Sequence, residues 1–311
     1  MRSKVAVIGA GNVGATLALY IAKDGISDVL LYDIKEGLPQ GKALDILEAT
    51  PLWSRSVSVK GSNNLKDIEG SDIVVITAGA ARKPGMSRDD LLHINASVIK
   101  SVSVELEKLC PDAVVIVVTN PMDVMAQYCW EVCCFPAKRV MGMGGVLDSA
   151  RFRTFVALEL GVSPADVEAL VLGGHGDQMV PMPRFTTVRG VSITELLDEQ
   201  TINALIDRTR KGGAEIVSLL QTGSAYYAPA AATYQMVRSV LLDEKRVLPA
   251  ATYLDGQYGV SGYYVGVPVV LGKNGVERII ELPLTEEENR YFQTSVKAVS
   301  ELVNILRSNN S

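Results

Sequence analysis

The sequence predicts an α/β chain in which a doubly wound parallel sheet is followed by an α+β part. Three observations carry this. Short Val/Ile-rich runs alternate with segments of helical period through the first half. The runs at 73–77 and 113–119 are apolar almost without a break, as in parallel strands covered by helices on both faces. After about residue 141 the alternation gives way to long helices and antiparallel signals.

Taken in order, residues 4–8 read as a strand, 13–23 as a helix, 29–32 as a second strand and 41–49 as a second helix, which is βαβ patterning. The apolar strands at 73–77 and 113–119 follow, and between them 88–109 holds a helical period closed by Cys110-Pro111. A change of pattern between Gly142 and Val146 marks a domain boundary, giving 1–144 and 145–311. No Gly/Ser-rich or Pro-rich linker separates the two, so they are expected to pack tightly. The second part carries helices at 148–160, 199–221, 228–241 and 285–306, and an apolar run at 167–172. It also carries a hairpin of 267–271 and 276–282 around Lys273-Asn274-Gly275. Segment 208–220 has more apolar face than one core requires and is a candidate contact surface between copies.

With 311 residues the chain can bury one large or two modest cores, and 48% hydrophobic with 21% charged residues is an ordinary globular composition. Thirty basic against 35 acidic residues leave a net charge of −5 without a Lys/Arg block, so nucleic acid is not an expected partner. No apolar run approaches the roughly 18 residues of a membrane span. Residues 1–4 pass straight into the first strand without an export signal, and four cysteines are too few for a disulfide framework. A cytoplasmic location is expected, with Cys110, Cys129, Cys133 and Cys134 as buried, reduced, structural thiols.

The first strand ends in Gly9-Ala10-Gly11-Asn12-Val13-Gly14, which opens a helix, and Asp33 stands at the tip of the second strand, 19 residues beyond Gly14. Glycines let the backbone approach a pyrophosphate, whose charge then sits on free N–H groups at the helix N-terminus. Asp33 is placed to accept hydrogen bonds from the adenosine ribose and to repel a 2′-phosphate, which selects NAD over NADP. The alternative is that these glycines only make a tight turn.

Two histidines are present, His93 and His175. His93 falls inside a predicted helix, where packing is the simpler role. His175 lies in Gly173-Gly174-His175-Gly176-Asp177 after an apolar run, where glycines could expose a reactive ring. Asp148 and Arg151 are one helical turn apart and share a face, as an ordinary surface ion pair also would. The segment 79–88, containing Arg82 and Arg88, leaves the carboxyl end of a buried strand, the edge where open α/β sheets bind ligands. It suits a lid that closes on an anion, or a solvated surface loop.

Taken together, these segments resemble the malate and lactate dehydrogenase family from Lys4 to about Leu306. Within it they resemble the lactate-dehydrogenase-like malate dehydrogenases more than the mitochondrial-type ones. The resemblance rests on Gly9 to Gly14 with Asp33, the Ala81 to Arg88 run, Thr119-Asn120-Pro121-Met122-Asp123, Leu147-Asp148-Ser149-Ala150-Arg151 and the His175 motif. It implies NAD-dependent oxidation of malate to oxaloacetate, a reaction of the tricarboxylic acid cycle, with no metal required. His175 would exchange a proton with the substrate oxygen while Asp148 orients its ring; Arg151 would grip a carboxylate, and Arg88 would polarise the carbonyl. Asn120 would contact both substrate and cofactor. Asn95 and Val118 would join Gly9, Ala10, Gly11, Asn12, Val13, Gly14 and Asp33 around the cofactor. Arg82 stands where lactate enzymes of the family place Gln, and small Ala225 where many place Thr, so the resemblance implies a dicarboxylate. It also implies a homo-oligomer, a tetramer in preference to a dimer. The rival readings are a lactate dehydrogenase, a non-catalytic NAD-binding scaffold and an NAD-dependent glycosidase. An assay with both 2-oxo acids separates the first, and loss of a catalytic residue would mark the second. The third uses a metal site and a longer chain.

Overall fold

The computed structural model describes residues 2–80 and 88–308, the Arg88 side chain excepted. β1 (Lys4–Ile8) leads into α1 (Asn12–Asp24), which stops at Gly25 in the left-handed conformation. β2 (Asp28–Tyr32), α2 (Leu38–Ala49) and β3 (Val59–Ser62) complete a first βαβ half. β4 (Ile73–Ile76), α3 (Arg88–Leu109), β5 (Val114–Val117), α4 (Met122–Cys133) and β6 (Val140–Gly142) form the second. The six strands lie parallel in the order β3-β2-β1-β4-β5-β6, so the chain reverses direction across the sheet between β1 and β4. This is the Rossmann arrangement, with its crevice at the carboxyl ends of β1 and β4.

Strand alternation explains the layers. Val5 and Val7 face one side with Leu17 and Ile21 of α1, whereas Ala6 and Ile8 face the other with Leu92 and Ile99 of α3 and Met125 of α4. Both faces are dry, which is why these strands show no polar alternation.

Past β6 come α5 (Gly145–Leu160), then the short strands β7 (Val167–Glu168), β8 (Val171–Leu172), β9 (Val180–Pro181), β10 (Thr187–Val188) and β11 (Val191–Ser192). α6 (Glu199–Leu220) and α7 (Tyr227–Leu241) precede β12 (Arg246–Asp255), β13 (Ser261–Gly272) and β14 (Gly275–Ile279), and α8 (Glu286–Ser308) closes the fold. β12, β13 and β14 form an antiparallel meander joined to β6 through Ala251 and Gly142, so one nine-stranded sheet runs through both parts.

Several details depart from the sequence reading. The apolar run 167–172 is two strands, because β7 pairs with β10 while β8 pairs with β9 in a different sheet. Strand β12 carries Pro249 and a run of alanines, a weak strand signal. It forms because Pro249 sits opposite Pro268 of β13, a pair that needs no N–H donor. The hairpin turn is Lys273-Asn274, and Gly275 already belongs to β14, at φ +88°. Cys110, Cys129 and Cys133 are buried free thiols, but Cys134 is exposed, since it follows the last residue of α4 in a left-handed conformation. No helix among the described residues is long and apolar enough to cross a membrane.

Candidate active site

The glycine turn is built by close approach. Gly9 has φ +107°, and a Cβ on it would lie 2.7 Å from the Ala78 nitrogen. A Cβ on Gly14 would lie 1.9 Å from the Gly9 carbonyl oxygen, so α1 can start against β1 only with glycine there. Gly11 has open space where its side chain would be, and no side chain caps the helix. The first N–H groups of α1, from Asn12, Val13 and Gly14, are therefore offered outward, which fits a pyrophosphate. Asp33 closes the turn from β2: Oδ2 accepts the Ala10 N–H at 2.7 Å and Oδ1 the Lys35 N–H at 2.9 Å. The residues present fit a dinucleotide.

A continuous set of contacts leads from this cradle along the strand ends. Thr119 at the end of β5 donates to Ala78 O at 2.6 Å, and the Val118 N–H donates to Ile76 O. Asn95 of α3, 1% exposed, accepts the Ala80 N–H at 2.7 Å and donates to the Ala80 and Asn120 carbonyls at 3.2 and 2.7 Å. Its amide thus straps the loops after β4 and β5 together, while the Asn120 side chain stays exposed at the sheet edge.

The same edge carries the ionisable groups. Asp148 and Arg151 project from α5 into a nearly dry space, with their side chains 2% and 14% exposed, and Arg151 NH1 lies 3.3 Å from Asp148 Oδ1. The other carboxylate oxygen lies 2.8 Å from Nδ1 of His175. With Nδ1–H donating to Asp148, Nε2 is the nitrogen left for chemistry. Burial works against charge on the imidazole. The attraction and hydrogen bond of Asp148, with the charge of Asp123, outweigh burial and Arg151 and raise its pKa above the ordinary 6.5.

His175 is held in place by residues to which the sequence reading gave no role of their own. Gly144, after β6, lets the ring in, since a Cβ there would lie 2.9 Å from that of His175. The His175 N–H donates to Oδ2 of Asp123 at 2.8 Å, and the Gly174 N–H donates to Ser295 Oγ of α8 at 2.8 Å. The signal for Asp123 was a carboxylate embedded among Met122, Val124, Met125 and Ala126, an apolar setting that a solvated helix-start acid would not have. His93 is exposed on α3. Arg82 and the Arg88 side chain lie outside the described residues; Arg88 itself begins α3. The rest of the expected constellation meets at one edge.

Two family models cover the chain: the lactate/malate dehydrogenase NAD binding domain matches residues 3–142, and the alpha/beta C-terminal domain of the same family matches 145–308. A malate dehydrogenase of Thermomicrobium roseum is 57% identical over 99% of each chain. The malate dehydrogenase structure of Cryptosporidium parvum superposes with a TM-score of 0.96 at 46% identity, covering 99% of this chain and 100% of its own. A lactate dehydrogenase of the same organism, complexed with lactic acid and β-nicotinamide adenine dinucleotide, gives 0.96 at 43% identity, covering 99% and 98%. The fold is thus shared by enzymes of both substrates. On its sequence, its sheet order and the Asp148–His175 pair at the sheet edge, the chain belongs to the lactate/malate dehydrogenase family.

Proposed function

We propose that this chain is an NAD-dependent malate dehydrogenase, interconverting malate and oxaloacetate. The observation that carries the chemistry is the Asp148–His175–Arg151 constellation, an oriented imidazole beside a fixed guanidinium. The glycine turn, Asp33, Val118, Asn95 and Asn120 hold NAD, Asn95 by ordering the loops. NAD, when bound there, would accept the hydride in malate oxidation and, as NADH, return it in oxaloacetate reduction. His175 Nε2 gives its proton to the C2 oxygen in reduction and takes it back in oxidation, while Asp148 keeps the donor tautomer and favours the imidazolium. Arg151 binds the C1 carboxylate, its planar fork suited to bidentate pairing. Arg88 polarises the carbonyl as negative charge develops.

The choice of diacid is supported by Arg82 in the sequence, the small Ala225 before α7, and relatives of more than 50% identity named malate dehydrogenase. Residues 1–144 form the NAD-binding part, which also brings Arg82, Arg88 and Asn120 to the substrate, and 145–311 the substrate/catalytic part. The protein works in the cytoplasm as a homo-oligomer, a tetramer in preference to a dimer, a reading supported by Val217, Leu219 and Leu220 exposed on α6. The deciding assay follows NADH oxidation with oxaloacetate and pyruvate side by side. Oxaloacetate should win in kcat/KM by about 100-fold or more. Equal rates, or a preference for pyruvate, would reject the diacid.

A second expectation concerns how Arg151 is seated. Gly212 lies in the middle of α6, where Ala would stabilise a helix by about 1 kcal/mol. A Cβ there would come within 3.3 Å of Arg151 Cδ, so the arginine must give way by a few tenths of an ångström. Gly212→Ala should raise the KM for oxaloacetate severalfold, with kcat little changed and Tm equal or higher. An unchanged KM would show that the glycine is not there for Arg151.

A further inference from the structure

Asp123 opens α4 from inside the protein, 4% exposed. One carboxylate oxygen accepts the His175 N–H, while the other, Oδ1, is buried without a hydrogen-bond partner among the described residues. An unpaired buried oxygen costs free energy, a cost that the favourable position of an acid in the first turn of α4 offsets only in part. The turn it serves is held twice: Ser295 of α8 takes the Gly174 N–H, and Asp123 takes the next one. Gly174 leaves no room for slack, since a Cβ on it would lie 2.6 Å from Val299 Cγ2 and 3.5 Å from Asp123 Oδ2. Among the described residues, the ionisable groups acting on Asp123 are His175 on the turn and Asp148 on α5; Ser295 is the nearby hydroxyl.

We propose that Asp123 is a positioning residue for His175, fixing the backbone of its turn and adding a second negative charge, beside that of Asp148, that stabilises the imidazolium. This rests on His175 being the acid/base of the reaction. The geometry makes the two groups titrate as a linked pair. Burial pushes the Asp123 carboxyl up to about 6, opposed by the hydrogen bond and charge of His175. The charge of Asp123 in turn helps to raise His175. Above that pH Asp123 is ionised and supports the imidazolium; as pH falls through about 6 it takes up a proton and its support is lost.

The test compares Asp123→Asn, which keeps an acceptor and removes the charge, with Ser295→Ala, which loosens the same turn and leaves the charge. In oxaloacetate reduction the rate falls as pH rises and His175 loses its proton. Asp123→Asn should move that fall to lower pH and reduce kcat severalfold at pH 8, whereas Ser295→Ala should lower kcat at all pH values without moving it. An unmoved profile in Asp123→Asn, or an equal displacement in Ser295→Ala, overturns the proposal. Should Asp123→Asn not fold, the wild-type enzyme decides by NMR titration of its two histidines, assigned with His93→Gln. The His175 ring should show a second inflection near 6, and a single inflection overturns the proposal. That titration needs no substrate. Failure to reduce oxaloacetate would defeat the functional reading while leaving this result to stand or fall separately.

Discussion

His175→Asn should lower kcat by about two to four orders of magnitude, the ordinary worth of a positioned general acid, while the Kd for NADH stays unchanged. The separation follows from the architecture. The cofactor cradle is made by the Gly9 to Gly14 turn and Asp33, whose hydrogen bonds and close approaches involve β1, β2 and β4 and not the His175 turn. The relay hangs from α5, α4 and α8. Asparagine can still face Asp148 and fits the space that Gly144 leaves, so the pocket should remain formed. What it lacks is a proton to deliver at the position of Nε2. The wild-type pH profile provides an internal check. Because Asp148 and Asp123 outweigh burial and raise the His175 pKa above 6.5, reduction should hold to a higher pH than an unperturbed imidazole would allow before it declines. Oxidation, which needs the neutral imidazole, should rise over the same range. The variant should lose both slopes. Stopped-flow rates and NADH fluorescence titration measure the two halves of the prediction, and retained turnover would remove His175 from the chemistry.

The parts of this site that were legible in the sequence are those in which a local pattern and a chemical demand coincide. Gly9 and Gly14 had to be glycine for steric reasons that the fold bears out, whereas Gly11 has open space around it, and Asp33 had to stand at a strand tip. Asp148 and Arg151 share a face by helical spacing alone. The parallel strands were readable because both their faces are buried. Strand β12 was not, since Pro249 and its alanines become a strand only when β13 lies alongside, with its own proline, Pro268, 19 residues on and opposite in the pairing register. Asp123 was hidden for a related reason. Its partner is a backbone N–H 52 residues away, and a backbone donor leaves no mark in the sequence. Asn95 fits a cofactor-binding role in the linear reading, yet its amide is spent on the Ala80 and Asn120 backbones, so it acts by holding two loops in register.

Arg82→Gln should shift the ratio of kcat/KM for oxaloacetate over pyruvate by about two to three and a half orders of magnitude, mostly by loss of oxaloacetate. Shape alone cannot set this preference, because a malate and a lactate dehydrogenase structure both superpose at a TM-score of 0.96. A charge can. The two substrates share the C1 carboxylate and the C2 oxygen, the groups assigned to Arg151 and His175, and differ in that pyruvate ends in a methyl where oxaloacetate carries a second carboxylate. A guanidinium closed into a water-poor pocket against a methyl group has lost its hydration and gained no partner, at a cost of about 3–5 kcal/mol. Glutamine is neutral, so the variant removes that penalty for pyruvate and the ion pair for oxaloacetate together. Arg151 and the Asp148–His175 pair are untouched, so turnover of the better substrate should survive and NADH affinity should hold. Initial rates with both acids across a range of ionic strength give a second reading. If Arg82 meets the second carboxylate in a closed pocket, as proposed, the wild-type preference should persist in high salt, because such a pair is screened far less than one on the surface. A ratio that moves by less than about tenfold would take the discrimination away from Arg82 and leave it to other residues, Ala225 being the candidate that the family resemblance offers.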